Sequence, residues 1–123
     1  MLYPNDANLN ITYHNRIQDR VTLVRDEETI FDADATFDDS DRLTGEAYTI
    51  NTDGGTLNEN YSFTYDDSSR LSTLHYSSTN RTITYGYDNN VGRLNSVSFS
   101  DTGSYAVTYD NKGRIDYVTY PNE

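Results

Sequence analysis

The stretch Tyr109-Asp110-Asn111-Lys112-Gly113-Arg114-Ile115 decides the fold, because its pattern occurs three more times earlier in the chain. Each copy has an anchor aromatic residue, an Asp, a short polar segment, an Arg and an aliphatic residue. The anchor aromatics Phe37, Tyr65, Tyr87 and Tyr109 stand 28, 22 and 22 residues apart. Such near-fixed spacing indicates one supersecondary unit that is used repeatedly.

Five positions in each copy are expected to hold the repeat together. They are the anchor aromatic, the Asp, a Gly in two of the copies, the Arg and the aliphatic residue after it. In chain order they are Phe37, Asp38, Arg42, Leu43; Tyr65, Asp66, Arg70, Leu71; Tyr87, Asp88, Gly92, Arg93, Leu94; and Tyr109, Asp110, Gly113, Arg114, Ile115.

A degenerate copy precedes these four. Tyr13 stands where the anchor aromatic would be, but His14 replaces the Asp, and Arg20 follows at too long a distance. We expect a single domain over residues 1–123, with the degenerate repeat at 11–30 and clear repeats at about 31–50, 61–80, 83–100 and 105–120. Terminal repeats are often atypical, which suits this assignment.

Alternating apolar residues predict a strand before each loop. Tyr105, Val107 and Tyr109 fall on one face of an extended chain, and the other copies alternate in the same way. A second alternation follows each Arg, and the aliphatic residue next to the Arg is out of phase with it, which predicts a bulge there. The predicted fold is all-β: repeated antiparallel hairpins in a meander or solenoid-like curved sheet, with no significant helix.

Composition narrows the possible partners. The net charge is −11 and the chain has no Cys. A chain this acidic is repelled by phosphate backbones, so we expect no nucleic-acid partner. No membrane span and no signal peptide are visible. The twelve Tyr residues favour β structure over disorder.

These repeats resemble the YD repeats of the RHS family, whose pattern reads roughly Tyr-Asp-x-x-Gly-Arg-Leu. The match is nearly ideal at Tyr109–Ile115, and Ser69 and Asp41 stand in the Gly place in two other copies. The resemblance implies a repetitive β-hairpin sheet and an extracellular or cell-surface location. In RHS proteins, toxin-complex subunits and teneurins, many such repeats form a large shell. This chain is too short to close one and shows no match to the family's self-cleavage motif, so cargo encapsulation and self-cleavage are not expected.

Three groups of residues are candidates for chemistry. The Asp and Arg of each loop are expected to clamp it, or the Arg to stack on a Tyr, although a ladder of Arg could also bind carboxylates or sulfated sugars. A dense acidic cluster is a weak candidate for calcium; it comprises Asp32, Asp34, Asp38, Asp39 and Asp41. His14 and His75 are expected to serve at the surface. No catalytic motif and no cofactor site are evident.

The sequence therefore predicts a non-enzymatic structural protein. Its open sheet edges favour head-to-tail assembly of copies into an extracellular filament or tubular surface structure with an adhesive use. Two alternatives remain at this point. One is a carbohydrate-binding module that uses its Tyr rows, and the other is an excised piece of a larger RHS-type shell.

Overall fold

The computed structural model describes the backbone of residues 2–3 and 6–121 and the side chains of residues 6–121. Two compact units follow one another along the chain, Met1–Ser62 and Phe63–Glu123. All of the regular structure described is β-strand, which confirms the predicted fold class. The single-domain assignment stays a prediction.

The first unit contains the strands before Phe63, hydrogen-bonded in chain order. They are β1 (Leu2–Tyr3), β2 (Ala7–His14), β3 (Ile17–Arg25), β4 (Glu28–Phe37), β5 (Leu43–Thr52) and most of β6 (Gly55–Tyr65). The second unit holds the end of β6 and then β7 (Leu71–Tyr76), β8 (Arg81–Tyr87), β9 (Leu94–Phe99), β10 (Gly103–Tyr109) and β11 (Ile115–Thr119). The pairing between neighbours is antiparallel wherever its register is described, for example between β4 and β5 and between β8 and β9.

A register shift lies close to the loop in three of the four clear hairpins. Phe37 pairs with Leu43 while Thr36 pairs with Gly45, so Thr44 is the extra residue of a bulge. The same shift occurs at Tyr87 and at Tyr109. The phase of the aliphatic residues predicted a bulge or twist here, and the bulge places Phe37, Tyr87 and Tyr109 each opposite the aliphatic residue of its own repeat.

The degenerate repeat folds as a hairpin with a different loop. Asn15 and Arg16 both have positive φ, 47° and 69°, so β2 and β3 are joined by a two-residue turn of the kind that matches the twist of paired strands. The bulge is nevertheless kept, because the register shifts between Thr12 and Tyr13. Tyr13 is thus the structural equivalent of the anchor aromatics.

The hydrophobic side chains have no closed core. Among residues 6–121 no side chain is buried, and the apolar ones are half-buried or exposed. Half-burial in these strands comes from neighbours in the same sheet, including edge-on ring pairs such as Tyr48 with Tyr61 and Phe99 with Tyr105. Each unit, taken by itself, is therefore held together by cross-strand contacts rather than by a second packed layer.

Candidate functional site

The loop of each repeat is closed by its own Asp and Arg. In the loop between β6 and β7, the Asp66 backbone N–H donates to the Arg70 carbonyl at 2.9 Å. The Asp66 side chain then accepts, at Oδ1, the backbone N–H groups of Ser68 and Arg70, both at 2.9 Å. Arg70 Nε then donates to Asp66 Oδ2 at 2.8 Å. One carboxylate thus satisfies the loop backbone and pairs with the guanidinium at the same time.

Two other loops repeat this arrangement. Arg42 Nε donates to Asp38 Oδ2 at 2.7 Å, and Arg114 Nε donates to Asp110 Oδ2 at 2.8 Å. The loop with one extra residue differs: there Asp88 Oδ1 accepts three backbone N–H groups, the closest from Val91 at 2.7 Å.

Backbone donors dominate the electrostatics of these carboxylates. The hydrogen bond from the backbone N–H of the loop Arg is the largest cause that holds the pKa of Asp38, Asp66 and Asp110 below the ordinary carboxyl range, and the guanidinium adds to it. The N–H of Val91 has the same effect on the pKa of Asp88. Four charged carboxylates are therefore built into the loops as structural groups.

The residue before each loop Arg adopts a left-handed backbone. Its φ is 57° at Asp41, 61° at Ser69, 71° at Gly92 and 79° at Gly113. Gly tolerates this conformation without steric cost, whereas residues with a Cβ are strained by it. The Gly place of the pattern is thus explained by a turn that every copy makes.

Successive hairpins in the second unit are joined by a contact that involves one repeat's Arg and the next repeat's Tyr. The Arg70 guanidinium lies over the ring of Tyr87, with Cζ 4.4 Å from the ring centroid. The Tyr87 hydroxyl donates to the Leu71 carbonyl at 2.7 Å. A Cβ added to Gly92 would stand 2.9 Å from the Arg70 side chain, so this glycine also makes room for the guanidinium.

The next pair of hairpins forms the same contact. Arg93 lies over the ring of Tyr109 with Cζ 5.3 Å from the centroid, and the Tyr109 hydroxyl donates to the Leu94 carbonyl at 2.6 Å. A Cβ on Gly113 would meet the Arg93 guanidinium at 2.6 Å. We call this set of contacts the repeat joint: Arg and aliphatic carbonyl from one repeat, Tyr and Gly from the next.

The first hairpin forms a modified joint, in which a His ring takes the place of the guanidinium. His14 stacks on Phe37 with ring centroids 6.0 Å apart and an interplanar angle of 4°. Asn15 Nδ2 donates to Asp41 Oδ1 at 2.9 Å. Asp41 therefore stands in the Gly place at a joint where no guanidinium needs the space.

Three of the five candidate calcium ligands make other contacts. Asp32 accepts two hydrogen bonds from Arg20, at 2.9 and 2.8 Å, and one from Thr22 at 3.0 Å. Asp38 closes its loop and Asp41 bonds Asn15, while Asp34 and Asp39 have no described contact that gathers them with the others. Across residues 6–121, no group of three or more His, Cys, Asp or Glu side chains is arranged to hold a metal ion. His75 lies half-buried, with Nδ1 2.9 Å from Thr82 Oγ1.

The residues of the joint are all repeat residues named from the sequence, and an Arg stacked on a neighbouring Tyr was one of the expectations. The sequence did not indicate that this Tyr belongs to the next repeat, or that its hydroxyl donates to a carbonyl of the preceding one. The spacing carried a usable signal: the Tyr that receives the Arg follows it by 17 positions in one joint, Arg70 to Tyr87, and by 16 in the other, Arg93 to Tyr109.

These features define a class of protein: a scaffold of β-hairpin repeats in which each loop is clamped internally and each hairpin is joined to the next. Residues 3–123 match the family model described as Teneurin YD-shell, and the chain belongs to that family. It is therefore a structural shell module of the RHS and teneurin type, a kind found in larger repeat proteins that are extracellular or at the cell surface. No curated protein matches the chain. Within the described residues, no helix is long and apolar enough to cross a membrane.

Proposed function

We propose that this chain is a non-enzymatic building block whose copies join head to tail into an extracellular filament or tubular surface structure. The observation that carries this proposal is the absence of any buried side chain among residues 6–121. A sheet whose apolar residues stay half-exposed gains stability when further sheet is added to it, because more apolar surface leaves water.

The distribution of exposed apolar residues supports the same function. The large hydrophobic residues that are exposed concentrate in the first hairpin and around the last strand. Seven of the ten are Ile11, Tyr13 and Ile17 in the first hairpin and Ile115, Tyr117, Val118 and Tyr120 in or next to the last strand; the other three are Ile50, Leu57 and Val91. The last strand, β11, has β10 as its neighbour and comes at the end of the strand order, so its other edge is available for pairing.

The surface chemistry supports the proposed adhesive use. Tyr117 and Tyr120 are exposed by 59% and 68%, and exposed aromatic rings next to Asp and Asn can stack on sugar rings. Glycans are accordingly a second class of partner for this module, whether it acts in a homopolymer or as part of a larger repeat protein.

Electron microscopy of the purified chain in negative stain, together with sedimentation over a range of concentrations, tests the proposal. We expect regular filaments or tubes and a sedimentation coefficient that rises with concentration. A monodisperse monomer that binds glycans on an array would contradict assembly and support the carbohydrate-binding alternative. An unfolded or irregularly aggregating chain would instead indicate a segment that needs the rest of a larger shell.

A matched pair of variants shows whether assembly uses the sheet edge. Val118→Lys adds a charge to β11, and edge lysines oppose strand addition. Val91→Lys adds the same charge to the loop between β8 and β9, where Val91 is 62% exposed. We expect the first substitution to weaken assembly and the second to leave it unchanged. Equal behaviour of the two variants would exclude the edge as the contact.

A further inference from the structure

The two ends of the described chain carry complementary halves of one repeat joint. Arg114 and Ile115 supply a guanidinium and an aliphatic carbonyl, but no Tyr among residues 6–121 completes this joint. The consequence is visible in exposure: the Arg114 side chain is 72% exposed, against 31% for Arg70 in a completed joint. Ile115 is 62% exposed, whereas Leu71 and Leu94 are half-buried.

The missing half is present in the first hairpin. Tyr13 stands at the bulge position of an anchor aromatic, because the register of β2 and β3 shifts at Tyr13 as it does at Phe37, Tyr87 and Tyr109. It is 62% exposed, whereas Tyr87 and Tyr109 are half-buried. Tyr13 thus has the position of a joint Tyr, and no guanidinium is described over its ring among residues 6–121.

Resting on the proposed head-to-tail assembly, we infer that strand β11 of one copy pairs antiparallel with strand β2 of a second copy, and that Tyr13 of the second copy completes the joint at Arg114 and Ile115 of the first. The Tyr13 ring lies over the Arg114 guanidinium, and its hydroxyl donates to the Ile115 carbonyl.

The internal joints fix the register of this contact. Thr73 pairs with Thr84, and extending that ladder by three residues on each strand places Arg70 opposite Tyr87. In the same way, the pair of Ser96 with Ala106 extends to place Arg93 opposite Tyr109.

Arg114 opposite Tyr13 is the equivalent register between copies. It sets Asp116 opposite Ile11 and Val118 opposite Leu9, while Ala7 and Asn8 stay paired with Tyr3 and Leu2 of their own chain.

Strand β1 shows that β2 accepts a partner in this register. Tyr3 pairs with Ala7 and Leu2 with Asn8, so Tyr3 holds the place that Tyr120 of another copy would take. The sequences around these two tyrosines also agree, since Tyr3 begins Tyr-Pro-Asn-Asp and Tyr120 begins Tyr-Pro-Asn-Glu. The pairs described for β1 involve Ala7 and Asn8, and the inferred contact with β11 involves Leu9 to Tyr13. The sequence at Tyr120 thus resembles the sequence at Tyr3, which already pairs with β2. For this reason we take the strand that pairs with β2 to be β11 of a second copy rather than an unrelated strand.

Cysteine cross-linking tests the register directly, because the chain has no Cys of its own. Single variants are mixed in pairs and oxidised mildly. Ile11→Cys with Asp116→Cys, and Leu9→Cys with Val118→Cys, are in register. Leu9→Cys with Asp116→Cys, and Ile11→Cys with Val118→Cys, use the same four positions but are displaced by two residues. Paired residues bring their Cα atoms to about 5 Å, whereas diagonal neighbours stand about 7–8 Å apart, at or beyond the limit for a disulfide.

We expect the in-register mixtures to give disulfide-linked dimers at several times the yield of the displaced mixtures. Equal yields from the four mixtures, in a chain that does assemble, would overturn the inferred joint and leave head-to-tail assembly standing. A wild-type chain that stays monomeric at every concentration would overturn both.

A second measurement addresses the tyrosine itself. Tyr13→Phe keeps the ring and removes the hydroxyl, and we expect it to weaken association about fivefold, the effect of one hydrogen bond. Tyr105→Phe is the control, because the contacts described for Tyr105 are ring contacts with Phe99 and Tyr120. Association that is equally strong in wild type and Tyr13→Phe would remove the hydroxyl from the joint.

Discussion

The loop aspartate holds the turn of each clear repeat closed by accepting hydrogen bonds from the loop backbone. At Asp66 one carboxylate accepts hydrogen bonds from two backbone N–H groups of the loop and from the Arg70 Nε–H. These three donors therefore have a partner within the protein. The ion pair alone would be a weak stabiliser, since both partners are partly exposed. The backbone hydrogen bonds give the arrangement its value, and they are also the largest cause of the lowered pKa of Asp66.

A pH dependence follows from that lowered pKa. The pKa of Asp66 is lower in the folded chain than in the unfolded one, so its contribution to stability is present above the unfolded value of about 4 and is lost as pH falls towards the folded value. Thermal melting should therefore show a falling Tm below about pH 4. Asp66→Asn should lower the Tm at pH 7 and reduce this acid dependence.

The neighbouring carboxylate provides the control for this measurement. Asp67 is exposed in the same loop, and Asp67→Asn removes an equal charge from the adjacent position. We expect it to leave the Tm at pH 7 nearly unchanged. The structural role assigned to Asp66 would be wrong if both substitutions gave the same melting profile.

At the scale of the hairpin, the sequence predicted the strands and turns of each repeat but not all of the contacts between repeats. Period-2 patterning predicted the strands, and the Asp, Gly and Arg of each copy predicted a closed turn. The two-residue turn at Asn15 and Arg16 was not predicted, because there the repeat pattern is lost and the bulge at Tyr13 survives only in the register. An Arg stacked on a Tyr was expected as one alternative, but the Tyr that receives Arg70 was not predicted, since the contact with Tyr87 depends on strand pairing rather than on local pattern.

The joint makes a specific prediction for one tyrosine. Tyr87→Phe removes the hydroxyl that donates to the Leu71 carbonyl and leaves that half-buried carbonyl without its described side-chain donor. We expect the free energy of unfolding to fall by about 1 kcal/mol, the typical net value of one hydrogen bond. Chemical denaturation of Tyr87→Phe beside Tyr105→Phe measures it, and an equal loss in both variants would mean that the joint hydroxyl contributes nothing particular.

At the scale of the whole molecule, charge opposes the assembly that the exposed apolar residues favour. Each copy has a net charge of −11, so approaching copies repel one another. Raising ionic strength shortens the range of this repulsion to about 10 Å at 0.1 M. We expect association, measured by sedimentation, to strengthen several-fold between low and moderate sodium chloride.

The same experiment separates screening from specific calcium binding. Calcium chloride and magnesium chloride at equal concentration screen alike, so a larger effect of calcium would assign a site to the acidic cluster around Asp38. Equal effects, together with a Tm that a chelator does not change, would reject calcium as a ligand. Weaker association at higher salt would contradict the repulsion argument itself.

The lack of buried side chains also determines how this chain comes apart. Where a globular domain loses its structure in one cooperative step because every element shares a core, a row of hairpins has stability that is approximately a sum of local terms and nearest-neighbour terms. Opening then begins most easily at a hairpin with a neighbour on one side only and proceeds inwards. The exposed Arg114 marks such a hairpin among the described residues, and a partner that covers it removes a place where unfolding starts.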